Sequence, residues 1–296
     1  MFQKEQGGRR LIFSVILNAL ITLAEIAGGI LSNSLALISD AIHNLSDTLA
    51  LALAWLAQRI GKRKPDARRT FGYKRFEILS AFINASVLSA VSIYLIYESI
   101  QRFLHPEPVK SSLMLIIALF GLVANLASML FLHRDSKHSL NVRAAYLHLL
   151  GDTFSSVAVV LGAVIIYYTG INWMDPALTL VISIVIIRQA YQILRESVDI
   201  LMQSTPGWLN LEEIKVAIEN HPLVKNLHHV HCWQIQENDV LFEAHIETLH
   251  DMALSESNRL MAELNELLRK HFQINHTTFQ FEFGCCEDTG MIKHPK

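Results

Sequence analysis

Six long apolar stretches, separated by short polar connections, occupy the first two thirds of the chain: Leu11–Leu31, Leu35–Ala57, Phe76–Ile100, Leu113–Leu132, Ala144–Tyr168, and Ala177 to about Ile200. Each approaches the roughly 20 residues that a helix needs to cross a hydrocarbon core. The pattern predicts six membrane-spanning helices. The first stretch follows Lys4, Arg9 and Arg10, as a signal peptide would. It is long for that purpose, and no small-residue cleavage site follows it, so it reads as a span.

The pattern changes after the breaker cluster Thr205-Pro206-Gly207. Asn210 is placed to cap a helix running to about Asn220, with Glu212 and Glu213 in its first turn. Leu227–Gln236 and Val240–Leu249 read as strands around a Glu237-Asn238-Asp239 turn. Leucine and methionine recur at helical spacing over Ser255–Phe272, and Thr277–Phe283 alternates Phe279, Phe281 and Phe283 as a half-buried strand does. The expected organisation is an α-helical membrane domain over residues 1–205 and a small α+β domain, in the order α-β-β-α-β, over residues 206–296.

Composition agrees with this division. The 296 residues are 51% hydrophobic and 18% charged, against about 25% charge in an ordinary soluble domain. The net charge of −2 conceals an asymmetry. Residues 1–205 carry 18 Lys/Arg against 13 Asp/Glu, a net of +5; residues 206–296 carry 7 against 14, a net of −7. Nine of the 14 histidines lie in the acidic part. No long basic face occurs outside the membrane connections, which disfavours nucleic acid as a partner. Three cysteines, Cys232, Cys285 and Cys286, are an odd number and include an adjacent pair, so they fit a reducing compartment or soft-metal binding better than a disulfide framework.

The basic residues also orient the spans. Arg59–Arg75 contains eight Lys/Arg and only Asp66 in opposition, and the connection after the fourth stretch carries Arg134, Lys137 and Arg143. Ser32–Ser34 and Thr169–Trp173 carry no basic residue. The positive-inside rule places both termini and the 59–75 and 133–143 connections in the cytosol. Arg188, inside the sixth stretch, is expected to snorkel to the cytosolic headgroups.

The candidate chemistry lies inside the spans. Ionisable side chains at membrane depth are costly and by default functional. The second stretch holds Asp40, His43 and Asp47; the fifth holds His148 and Asp152. His43 and Asp47 are four residues apart and share a helix face, and His148 and Asp152 repeat that spacing. If the two faces meet, two imidazoles and two carboxylates converge, a tetrahedral N/O set suited to Zn²⁺. Structural zinc sites favour cysteine; titratable ligands suit a site that fills and empties, because metal binding expels their protons. Asp40, three residues before His43, is a candidate supporting carboxylate or a solvated group at the outer mouth. Asn18, Glu25, Asn84 and Asn125 read as interhelical hydrogen bonds.

These residues resemble the cation diffusion facilitator family, in its zinc-exporting branch. The resemblance runs from about Leu11 to Glu282. It is carried by Ser34–Asp47, Thr70–Glu77, His148–Asp152, Asp175-Pro176 and Leu201–Pro206. It implies a homodimer with six spans per chain, a metallochaperone-like cytosolic domain, and export of Zn²⁺ in exchange for H⁺ by alternating access. His43, Asp47, His148 and Asp152 match the family's transport-site positions. His228, His245 and Glu282 fall where family members place cytosolic metal ligands. The ligand expected on the second helix of that domain is missing, since that region reads Ser257-Asn258-Arg259.

The expected protein is a secondary transporter in a lipid bilayer, with a bacterial inner membrane as its setting. Zn²⁺ is its substrate and a bound ion of its tail, Cd²⁺, Co²⁺ or Ni²⁺ are secondary substrates, and no organic cofactor is expected. Two other classes stay open at this stage. An intramembrane zinc enzyme needs an open coordination position and a general base, and no His-Glu-x-x-His motif occurs. A non-transporting metal sensor leaves the duplicated in-membrane pairs unexplained.

Overall fold

The computed structural model describes residues 19–133, 140–236, 239–284 and 290–292. Six helices come first: α1 (Ala19–Ser32), α2 (Leu35–Gly61), α3 (Phe76–Leu104), α4 (Ser111–His133), α5 (Leu140–Thr169) and α6 (Met174–Leu201). Then follow α7 (Leu211–Glu219), β1 (Val224–Gln236), β2 (Asp239–Thr248), α8 (Leu254–Phe272) and β3 (His276–Glu282). The chain forms two compact units. One comprises residues up to Leu56 together with Ser80–Leu194; the other comprises Ala57–Leu79 and everything from Arg195 onward.

Among the described residues four helices are long and apolar enough to cross a membrane, namely α3 to α6 over Phe76–Leu104, Ser111–Leu130, Leu149–Thr169 and Met174–Leu201. The expectation of six is thus met in part. The first expected span lies partly outside the described residues, and α2, although 27 residues long, is diluted by Asp40, His43 and Asp47.

The first unit is organised for lipid. Helix α3 buries Ser80, Ala85, Leu88, Ser92, Leu95 and Ser99 and turns Ile83, Val87, Ile93, Tyr94 and Tyr97 outward. Lipid tails are as apolar as leucine, so helix association relies on close packing, and small side chains permit it. Ala36, Ala118, Ala163 and Ala190 do the same in the buried cluster that joins α2 to α4, α5 and α6 through Leu37, Met114, Val159 and Ile186.

Asp175, in the first turn of α6, is fully buried and sits at the start of α2. Its carboxylate accepts hydrogen bonds from the Ser34 hydroxyl (2.5 Å), the Leu35 amide (2.8 Å) and the Ala36 amide (3.2 Å). Ser34 Oγ in turn accepts from the Leu37 amide at 3.1 Å. The first amides of a helix have no intrahelical partner and carry the positive end of its dipole. A carboxylate from another helix satisfies them here and fixes where α2 begins. Nearby, Arg102 of α3 donates to the Asn33 carbonyl (2.8 Å) and to Asn33 Oδ1 (3.0 Å), holding the α1–α2 turn.

The 62–75 connection in the second unit is built around Asp66. Its carboxylate accepts from the Arg68 and Arg69 amides (2.8 and 2.9 Å) and from the Tyr73 hydroxyl (2.8 Å). These bonds, Tyr73's foremost, hold the carboxyl below its ordinary range, so the turn stays locked wherever the group is ionised. Gly72 turns the chain at φ 77°, a conformation that favours glycine.

The tail has the expected α-β-β-α-β order. Strands β1 and β2 pair antiparallel, β2 and β3 parallel, in the order β1-β2-β3. Asn210 caps α7, its side chain accepting from the Glu212 amide at 3.0 Å. Leu260, Leu264 and Leu268 of α8 share a face and pack with Ile214, Leu227, Phe242 and Ile246. Cys232 belongs to this core, and burial pushes its thiol up to about 12.

Two outcomes follow from this packing. Asp175→Ala should lower the stability of the solubilised protein by roughly 1.5–3 kcal/mol, the usual worth of charge-assisted hydrogen bonds, read as a reduced thermal midpoint; an unchanged midpoint contradicts the cap. Cys232 is buried and its thiol is held far above the ordinary range, and the thiolate is the nucleophile, so iodoacetamide at pH 8 should leave it unmodified in the folded protein and alkylate it after unfolding, as read by mass spectrometry.

Candidate metal centres

The residues singled out in the membrane region converge from two helices. His43 and Asp47 lie one turn apart on α2, and Asp152 faces them from α5. His43 Nε2 stands 3.5 Å from Asp47 Oδ2 and 3.6 Å from Asp152 Oδ1. Each of the three offers a ligand atom, and these atoms all lie within 4.8 Å of one another. Asp152 is buried; His43 and Asp47 are partly so, at 15% and 23% side-chain exposure. His148 sits on α5 four residues before Asp152, and its side chain lies outside the described residues. Carboxylates this close repel one another unless a cation or proton stands between them, and an imidazole at the same point completes a donor set fit for a borderline metal.

The surroundings fix this face. Asp40, one turn before His43, is 2% exposed and accepts from the hydroxyls of Ser155 (2.5 Å) and Ser156 (3.4 Å) on α5. Asn125 of α4 donates to Ser156 Oγ at 3.0 Å, extending the chain of bonds to a third helix. Asp40 is thus a buried brace between α2 and α5 rather than a solvated carboxylate at the mouth. Glu25 of α1 accepts from Asn44 Nδ2 at 3.0 Å, and Asn84 of α3 donates to Ser46 Oγ at 3.2 Å. A side chain at Gly121 would collide with Glu25 Oε1; the glycine leaves room for that carboxylate inside the bundle. Asn18 lies outside the described residues. Sequence reasoning did not single out Ser155 and Ser156, although their place three and four residues after Asp152 puts them on its helix face.

A second group forms on the sheet of the tail. His228 of β1 and His245 of β2 are register partners, and Glu282 ends β3. Glu282 joins both: its Oε2 is 3.2 Å from His228 Nε2 and its Oε1 is 2.7 Å from His245 Nδ1. These ligand atoms also lie within 4.8 Å of one another. Asn226 Oδ1, 3.1 Å from His228 Nδ1, orients that ring, as a partner of a metal-binding imidazole does. At an irregularity between His228 and His231, His229 adopts φ 50°, and its ring centroid lies 4.4 Å from that of His245, tilted by 40°. Cys232 points into the core, so its carbon-lined surroundings account for it as a packing residue. Cys285 and Cys286 lie outside the described residues.

Comparison with known proteins identifies the family. The family model described as "Cation efflux transmembrane domain" matches residues 11–202, and that described as "Cation efflux protein, cytoplasmic domain" matches residues 206–283. "Zinc transporter ZitB" of Pectobacterium atrosepticum is 41% identical over 97% of this chain and 89% of its own length. "Metal cation efflux system protein CzcD" of Cupriavidus metallidurans is 38% identical over 97% and 90%. "Cadmium, cobalt and zinc/H(+)-K(+) antiporter" of Bacillus subtilis is 38% identical over 97% and 93%. With both of its family models matched over almost the whole chain, and the paired His–Asp faces those matches enclose, the protein belongs to the cation efflux family, the cation diffusion facilitators.

Proposed function

We propose that this protein exports Zn²⁺ from the cytosol in exchange for H⁺, by alternating access around a site formed by His43, Asp47, His148 and Asp152. That it is a metal-efflux transporter and an integral membrane protein, not an enzyme, follows from its family and relatives. The observation that carries the finer reading is the convergence of three ligand atoms, from α2 and α5, within 4.8 Å of one another. These donors are all N/O, and all titrate. Zn²⁺ takes imidazole and carboxylate in a tetrahedral set, and its binding releases protons that reprotonation returns as the metal leaves. A closed cysteine site would hold the ion; this one is built to exchange it. Cd²⁺, Co²⁺ and Ni²⁺ fit the same donors less selectively, and relatives are named for cadmium and cobalt as well as zinc.

In this reading α2 and α5 move as a braced pair. Asp40 locks them through Ser155 and Ser156, so the site changes its exposure without its ligands separating. Residues 1–205 form the transport domain, whose six spans put both termini in the cytosol of a bacterial inner membrane. Residues 206–296 form a cytosolic domain that binds zinc at His228, His245 and Glu282 and joins two chains into a homodimer. The donor chemistry there fits a resident ion: one buried carboxylate bridges two imidazoles. A sensor without transport would need only this tail, whereas the His43, Asp47 and Asp152 cluster lies in the transport domain.

Flux in proteoliposomes tests the reading. An imposed pH gradient should drive Zn²⁺ accumulation by the wild type. Asp47→Ala and Asp152→Ala should each reduce it to the level of protein-free vesicles. If both variants still transport, the site assignment is wrong; if the wild type moves another divalent metal and no zinc, the selectivity assignment is wrong.

A further inference from the structure

The connection between α2 and α3 forms a feature that metal transport does not use. A cavity of about 720 Å³ lies within the second unit. Its apolar wall is made by the membrane ends of helices, Leu79 of α3 and Leu201 of α6 among them, together with the Trp233 ring of β1. Arg63, Arg68 and Arg75 also line it.

The charges of this segment divide into two kinds. Lys74 is ion-paired with Asp239. The Arg69 guanidinium lies 4.8 Å above the Tyr73 ring and donates to its hydroxyl at 3.3 Å. Asp66, the one carboxylate between Arg59 and Arg75, is committed to Tyr73 and to the Arg68 and Arg69 amides. Arg63, Arg68 and Arg75 are not ion-paired among the described residues. Three unneutralised guanidiniums thus border an apolar hollow where long apolar helices end.

We propose that this cavity is a binding site for an anionic phospholipid, its phosphate held by Arg63, Arg68 and Arg75 and one acyl chain seated against Leu79, Leu201 and Trp233. Arginine pairs with phosphate bidentately and is weakly hydrated, so it is suited to this boundary. Tryptophan sits by preference at the headgroup level. A basic pocket between span ends at the cytoplasmic surface, where anionic lipids are found, is a recurrent form of lipid recognition. A soluble anion would satisfy the arginines and leave the apolar wall wet; a phospholipid satisfies both. The site rests on the reading of α2 and α3 as spans joined at a membrane surface, and not on which metal is moved.

The test uses full-length protein with Trp55, Trp173 and Trp208 changed to Phe, leaving Trp233 as the reporter. It is reconstituted with phosphatidylglycerol or phosphatidylcholine brominated in the acyl chain. Brominated phosphatidylglycerol should quench Trp233 at mole fractions where phosphatidylcholine does not. Each of Arg63→Gln, Arg68→Gln and Arg75→Gln should reduce that preference about fivefold. Inorganic phosphate at constant ionic strength should leave the quenching in place. Equal quenching by the two lipids, or a preference that survives all three substitutions, overturns the proposal. So does complete displacement by inorganic phosphate, which marks a free-anion site, or quenching by neither lipid, which marks a cavity filled by protein. Zinc flux measured in the same vesicles reports on the transport reading independently.

Discussion

A carboxylate placed among lipid-facing helices has no water to solvate it, so the bundle must supply its partners or leave several kcal/mol uncompensated. Among the described residues, three buried acids of the first unit, Asp175, Asp40 and Glu25, are met in this way, and the helix arrangement follows from where the partners stand. Asp175 is met by the opening amides of α2 and by Ser34. Asp40 is met by Ser155 and Ser156, and Glu25 by Asn44 in the space that Gly121 leaves. These contacts start α2 at a defined residue, tie its middle to α5, and tie it again to α1. His43, Asp47 and Asp152 are then brought together, with ligand atoms within 4.8 Å of one another.

The same constraint separates the bracing groups from the proposed exchange site. Partners that are hydroxyls, amides and backbone N–H groups make permanent bonds, and these surround the site. The groups inside it are an imidazole and two carboxylates, types at which protons and a metal ion would compete for the same lone pairs. In the tail the solvent is water and the rules differ. There a leucine face on α8 closes over a three-stranded sheet, and the metal-ligating types gather at the register partners His228 and His245 and the end of β3.

Much of this was legible in the sequence because its signals are periodic. The four-residue spacing of His43 with Asp47, and of His148 with Asp152, marks helix faces whatever the tertiary structure. The alternation of Phe279, Phe281 and Phe283 marks a strand, and Asn210 before two glutamates marks a helix start. The tertiary partnerships were not legible. Asp175 capping α2, 140 residues away in the chain for its bond to Leu35, leaves no local pattern. Ser155 and Ser156 look like ordinary small residues until Asp40 is seen against them. The second helix, read as a span in the sequence, is not among the four long apolar helices, for the reason that makes it interesting: Asp40, His43 and Asp47 interrupt its apolar run. The three arginines bordering the cavity read as orientation signals in sequence, and only the fold shows that they share a hollow.

The coordination of the metal itself tests the central claim most directly. Zinc K-edge X-ray absorption should be recorded on the solubilised protein with His228→Ala and His245→Ala, so that the membrane ligands dominate at one zinc per chain. The account predicts four nitrogen and oxygen neighbours at about 2.0 Å, with outer-shell imidazole scattering that falls when His43→Ala is added. A sulfur shell at about 2.3 Å, or a spectrum indifferent to His43→Ala and Asp152→Ala, would contradict it.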